Sequence, residues 1–161
     1  MMRIDTSPEA QIVWNLLDIS VLLNRYGDHI SRQAGITTQQ WLLLLHLAAD
    51  PNIPFLRREQ HTKPLTASEL ATALSVSRPN VTNLLGGLIA KGLVRQTEDP
   101  DDRRKKRLAL TPRGRELLLS LEPGRQRFNQ KLLGDLPAHQ VGELLAQLRR
   151  LNRTIREDFG D

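Results

Sequence analysis

Residues 99–111 read DPDDRRKKRLALT. The stretch ends in RLAL, and upstream LVRQT stands at 93–97. Both short runs have strand character, and the polar segment EDPDDRRKK between them can only be a hairpin tip. Five cations stand in a row at its crest: Arg103, Arg104, Lys105, Lys106 and Arg107. Lys91, Arg95, Arg113 and Arg115 extend the basic region on both sides. A basic run alone is usually just a solvated surface. The neighbouring sequence decides otherwise.

Immediately upstream, residues 66–92 read TASELATALSVSRPNVTNLLGGLIAKG. Thr66 and Glu69 form a capping box, in which each side chain takes an orphan backbone N–H at a helix start. Leu70, Ala71 and Leu74 give that helix a buried face, and Ala71 is small enough for a close helix crossing. Ser75-Val-Ser77 is a turn plugged by Val76. Ser77 is expected to cap a second helix, with Arg78 and Pro79 in its first turn, where a missing N–H costs nothing. This helix runs to about Lys91 and stops at Gly92. Its inner face is Val81, Leu84, Leu85, Leu88 and Ile89. At about 100° per residue, Asn83 lies opposite that face, with Pro79, Gly86 and Thr82 to one side and Asn80 and Gly87 to the other. A merely solvated face would carry Glu and Lys. Short hydrogen-bonding side chains fit a major groove instead: Asn suits adenine edges, and Thr and Pro suit a thymine methyl. Gly86 and Gly87 cost helix stability, which close approach to DNA or to another helix would explain.

Helix, turn, helix and basic hairpin in that order make a winged helix-turn-helix, in a mainly α fold with a small β-wing. The hairpin then lies beside the groove that the second helix occupies. An arginine there can enter the minor groove while its neighbours contact phosphates. The acids at the tip do not suit a calcium loop: no glycine stands at the turn, no distal glutamate follows, and cations come next. Asp102 and Arg104 are two apart on a hairpin and can pair, which holds the guanidinium in one pose.

The flanking sequence is helical. Ile12, Val13, Leu16, Ile19, Leu23, Tyr26 and Ile30 recur at steps of three and four over residues 8–34, and Gly35 ends that run. Thr37 or Thr38 caps a nearly all-apolar helix at 39–49. Residues 50–64 (DPNIPFLRREQHTKP) lose all period and read as a loop, with a short strand expected around 53–56. Thr111-Pro112 opens a fifth helix, which Pro123-Gly124 should kink or interrupt. Asp135-Leu136-Pro137 restarts a last helix carrying Val141, Leu144, Leu145, Leu148, Leu151 and Ile155 in register. We therefore expect a single domain over 1–161. Its parts are N-terminal helices for core and dimerisation (9–49), an inserted loop (50–64), the winged helix-turn-helix (65–111) and C-terminal dimerisation helices (112–158). Two long amphipathic helices at the chain ends would leave a monomer with uncovered apolar stripes, so pairing between chains is expected.

Composition agrees. Of the 161 residues 39% are hydrophobic but only 4% aromatic, a leucine-rich balance that favours helices. The net charge of +5 suits a polyanionic partner. The absence of cysteine excludes disulfides and thiol redox sensing. No apolar run approaches the ~18 residues of a spanning helix, and no signal-peptide core is present, so the expectation is a cytoplasmic protein without a membrane partner. His29, His46, His61 and His139 are dispersed without a metal-ligand spacing, and no phosphate loop or nucleophile elbow occurs. No enzyme, catalytic residue, metal or cofactor is implied. A winged helix reused for protein interaction would need an acidic or apolar outer face and no basic wing, the opposite of what stands here.

Asp99-Pro-Asp-Asp-Arg-Arg104, followed by Leu108-Ala-Leu-Thr111 and Gly114, resembles the wing signature of the MarR (multiple-antibiotic-resistance-type) regulators. The helix arrangement is similar over roughly residues 10–158, and the family's D-x-R element falls on Asp102 and Arg104. The resemblance implies a homodimeric repressor whose terminal helices pair, which binds a pseudo-palindromic operator in double-stranded DNA and is often released by a small-molecule effector. The site residues expected on this basis are Ser77, Arg78, Pro79, Asn80, Thr82 and Asn83 on the recognition helix, and Asp102, Arg103, Arg104, Lys105 and Lys106 on the wing. Asn15, Trp41 and His46 are candidate lining for an effector pocket between the terminal helices and the DNA-binding lobe, and each is equally explained by packing. Residues 50–64 exceed the family's usual link. Arg57, Arg58, His61 and Lys63 there read either as extra DNA contacts or as a solvated loop.

Overall fold

The computed structural model describes residues 5–54 and 64–159. Eight elements follow in order: α1 (Pro8–Arg32), α2 (Thr38–Leu47), α3 (Ala67–Leu74), α4 (Arg78–Ala90), β1 (Val94–Glu98), β2 (Lys106–Leu110), α5 (Pro112–Leu133) and α6 (Ala138–Phe159). The mainly helical winged helix-turn-helix read from the sequence is what forms.

Local chemistry sets most boundaries. Ser7 caps α1, with its Oγ accepting the Ala10 N–H at 3.2 Å, and Pro8 occupies the first turn. Thr37, not Thr38, caps α2, in a capping box closed by Gln40. Thr38 serves the tertiary fold instead. Its N–H donates to Asp28 Oδ1 of α1 at 2.9 Å, and its hydroxyl lies 2.7 Å from the same oxygen. Gly27 makes this crossing possible, since a Cβ there would sit 2.7 Å from Thr38 Cγ2. The Thr66–Glu69 box opens α3 as expected.

The core is built from the middle of the chain. Leu43 and Leu44 of α2, Leu70 of α3, Val81, Leu85 and Leu88 of α4, Leu108 and Leu110 of β2 and Leu121 of α5 are buried together. Each such leucine stabilises the fold by about 1.5–3 kcal/mol relative to exposure. Among the described residues of α1, only Gly27 and Ser31 are buried.

β1 and β2 pair antiparallel from Val94↔Leu110 to Glu98↔Lys106. A third chain segment joins them at one residue: Leu65 bridges to Leu108, whose N–H donates to the Leu65 carbonyl at 2.8 Å. The expected strand at 53–56 is not seen where it is described, because Ile53 and Pro54 lie in a turn. Phe55 and Leu56 lie outside the described residues, as do Arg57, Arg58, His61 and Lys63. Extended backbone occurs instead at Leu65, where a partner strand is within reach.

Pro123 does not interrupt α5, which is one helix from Pro112 to Leu133. Tertiary contacts hold both sides of the proline. Leu121 is buried, and the Phe128 ring stacks on Tyr26 of α1 with centroids 4.0 Å apart. Arg125 reaches Asp50 at 2.7 Å and Glu122 at 2.7 Å. These contacts offset the lost N–H and the ring's clash with the preceding turn. At the start of α5, Gly114 packs directly on the Leu93 carbonyl oxygen, where a Cβ would collide.

A candidate nucleic-acid interface

Helix α4, expected from the sequence to be the recognition helix, sits with Val81, Leu85 and Leu88 in the core. Arg78, Pro79, Thr82, Asn83 and Gly86 are exposed on its other side, and Asn80 is half-buried. The two glycines have different roles. A Cβ at Gly86 would meet nothing within 4 Å, whereas one at Gly87 would sit 2.7 Å from Gln40 Nε2 of α2. Gly87 therefore serves a helix–helix contact and Gly86 lies on the open face. Thr82 Oγ1 donates to the Arg78 carbonyl at 3.0 Å, so its proton is engaged within the helix and its lone pairs face outward. At the C-terminal end, Lys91 Nζ donates to the Gly35 carbonyl and ties α4 to the turn after α1.

Ser77 departs from expectation. It occupies the N-cap position, but its side chain makes no cap hydrogen bond. A cap hydroxyl takes the N–H of the second or third helical residue. The second is Pro79, which has none; the third, Asn80, has one that the hydroxyl does not take, and the Ser77 side chain stays exposed at the helix start.

On the wing, Asp102 Oδ1 accepts Arg104 Nε at 3.2 Å and the Arg104 backbone N–H at 3.1 Å. The pairing expected from their spacing is formed. The Arg104 side chain is 92% exposed, so the carboxylate aims it without covering it. Lys105 Nζ lies 4.0 Å from the other Asp102 oxygen. Arg103 is exposed, and Lys106 pairs across the strands with Glu98 at 3.0 Å.

Two residues of the wing were given no separate role by sequence reasoning. Asp99 is only 2% exposed. Its Oδ1 accepts the N–H groups of Asp101 at 2.8 Å and Asp102 at 3.2 Å, and its Oδ2 accepts Arg107 Nε. The Asp101 N–H, ahead of the opposing effect of burial, holds the Asp99 carboxyl below its ordinary value, with the Asp102 N–H and Arg107 acting in the same direction. Arg107 thus turns inward, unlike its four cationic predecessors, and its Nη1 donates to the Pro64 carbonyl at 2.9 Å. The polar hairpin tip was legible. The partner across the hairpin was not.

The three candidate pocket residues have separate surroundings. Asn15 is exposed on α1 and its Nδ2 donates to the Gln11 carbonyl at 2.8 Å. Trp41 is buried in the core. His46 is half-buried, with Nδ1 2.8 Å from the Leu42 carbonyl. An open hollow elsewhere on α1 is lined by Arg25, Asp28, His29 and Arg32.

Comparison with known proteins agrees with this geometry. The family model described as MarR family matches residues 34–105. A putative transcriptional regulatory protein for the hcr operon of Thauera aromatica is 34% identical over 133 residues, covering 83% of this chain and 73% of that protein. The transcriptional activatory protein BadR of Rhodopseudomonas palustris is 28% identical over 142 residues, covering 88% and 76%. Among solved structures, S. aureus MepR in a DNA complex superposes with a TM-score of 0.74 at 26% identity, over 92% of this chain and 99% of that one. On its wing signature, its fold and these relatives, the chain belongs to the MarR family.

Proposed function

We propose that the protein is a homodimeric, sequence-specific DNA-binding transcriptional regulator of a pseudo-palindromic operator. The observation that carries this reading is the pairing of a small, polar, open face on α4 with an adjacent wing whose Arg104 is aimed outward by Asp102. Asn80, Thr82 and Asn83 read base edges in the major groove, with Pro79 in apolar contact. Arg78, the uncommitted Ser77 hydroxyl, Arg103, Lys105 and Lys106 hold phosphates, and Arg104 enters the minor groove. The MepR–DNA complex is a relative in which the same fold is seen with DNA.

The dimer is supported by what the single chain leaves uncovered. Val13, Trp14, Leu17 and Val21 of α1 are exposed, as are Leu144, Leu148, Leu151 and Ile155 of α6. None of the described side chains of α6 is buried. Residues 9–49 and 112–158 would then supply the pairing region around the 65–111 lobe. A two-fold pair sets its recognition helices in successive major grooves, about 34 Å apart. A regulator of this kind works in the cytoplasm, and bound protein occludes a promoter that overlaps its operator. An effector would act by shifting the lobe spacing through α1 and α2, which bear the candidate contacts Asn15, Trp41 and His46.

Selection of bound duplexes from a random pool tests the proposal. The expected result is an inverted repeat with half-site centres about 10 base pairs apart. Recovery of no enriched sequence, with binding that follows charge alone, would refute specific recognition.

A further inference from the structure

The aim of Arg104 is set by Asp102, but nothing in the pair itself fixes where Asp102 points. That orientation comes from Asp99. Its nearly buried carboxylate gathers the N–H groups of Asp101 and Asp102, which fixes the turn from which the Asp102 side chain emerges. The Asp99 N–H closes the other side of the tip by donating to the Lys105 carbonyl at 3.0 Å. The Lys105 N–H in turn donates to the Asp102 carbonyl at 2.8 Å. Arg107 then holds the second Asp99 oxygen from the opposite strand and reaches the Pro64 carbonyl with the same guanidinium. A planar fork suits this double engagement, and a lysine could not make it. The hydrogen bonds run unbroken from the end of the 50–64 segment, through Arg107 and Asp99, to the turn that presents Asp102 to Arg104.

We propose that Asp99 is the positioning residue of the wing, and that Arg107 locks it by anchoring it to the Pro64 carbonyl. Asp99 touches no DNA in this scheme and acts only through Arg104. The inference rests on the DNA-binding reading given above, and its test separates the two.

The test is a double-mutant cycle on a selected operator duplex, using the full-length chain and anisotropy titration, with thermal melting of each variant as a control. The variants are Asp99→Ala, Arg104→Ala and both together. Asp99→Ala should weaken operator binding by about ten-fold, less than the loss of Arg104 itself, because the arginine is released from its pose and not removed. In the Arg104→Ala background the same substitution should change affinity by less than about two-fold, because the side chain it positions is gone. Equal factors in both backgrounds, or an Asp99→Ala protein that binds like wild type, would overturn the proposal. Asp99→Asn is a second variant in case the alanine protein melts early. Its amide oxygen can still take the two N–H groups, but its amide nitrogen repels Arg107. An intermediate loss is therefore expected, and it too should disappear in the Arg104→Ala background. The same full loss in both backgrounds counts against the proposal.

A measurement without DNA keeps the two readings apart. The Arg104 Nε–H resonance should be dispersed in wild type and move to the solvent-exposed position in Asp99→Ala. If wild type fails to bind any duplex, the DNA reading falls and this resonance alone judges Asp99. An unmoved Arg104 signal refutes the positioning role, whatever the affinities.

Discussion

Replacing Arg104 with alanine separates the fold from the function of the wing. The side chain is 92% exposed and its side-chain partner is Asp102, at 3.2 Å. Surface pairs of this kind contribute about 0–1 kcal/mol to folding. For a chain of this size, a melting shift of no more than about 2–4 °C follows. DNA binding should respond on another scale. A DNA-contacting arginine contributes about 1–3 kcal/mol. A two-fold dimer engages two wings, so the loss per operator is about 2–6 kcal/mol, a fall in affinity of roughly 30-fold to 20,000-fold. The slope of log affinity against log salt should also become shallower by about one per protomer. Fluorescence anisotropy of a labelled operator across a salt series reads both quantities, with circular dichroism melting alongside. Unchanged affinity and unchanged slope in a variant that melts like wild type would show that the wing does not grip DNA.

Other perturbations test the frame around the wing. Gly114→Ala would drive a Cβ into the Leu93 carbonyl oxygen, backbone that cannot yield, and should destabilise by about 1–3 kcal/mol. A melting temperature equal to wild type would contradict that packing. Leu148→Glu places a charge in the exposed apolar row of α6 and should yield monomers in sedimentation, with operator binding lost alongside. A variant that still sediments as a dimer would move the interface elsewhere. Part of the acid sensitivity should come from Asp50. Burial works against its ionisation but is outweighed by the Asn52 N–H, the Asn52 side chain and Arg125, so its carboxyl lies below the ordinary 3.8. The stabilisation it gives is therefore complete above the unfolded value and is lost as pH falls through the lower folded one. Melting temperatures of wild type should drop below about pH 4, where carboxylates begin to protonate, and Arg125→Met should drop less steeply there. Parallel curves would mean that the Asp50–Arg125 pair adds nothing.

The elements and their ends were legible because they depend on residues near one another in the chain. The Thr66–Glu69 box and Thr111-Pro112 start helices through bonds between near neighbours in sequence. Gly35 and Gly92 end them by adopting φ of 70° and 67°. The Asp102–Arg104 pair is also local, and spacing alone announced it. The rest waited on partners brought from far along the chain. Pro123 reads as a break until Arg125, Leu121 and Phe128 are seen holding α5 to Asp50, the core and Tyr26. Ser77 stands at the cap position, yet its side chain takes no N–H of α4. Gly86 and Gly87 are indistinguishable in sequence, yet only Gly87 faces Gln40.

The wing shows the division most clearly. Its basic crest, its hairpin form and its place after a polar-faced helix are written in residues 78–111. That Asp99 is buried, and that Arg107 leaves the row of cations to hold it, follows from register: Arg107 faces Thr97 across the ladder and the chain at Pro64 passes beside it. By itself, the sequence determined that there would be a basic wing beside a helix with a small polar face. Only the tertiary structure decided which charges remain outside to meet a partner and which turn inward, because burial and long-range pairing are properties of the assembled chain.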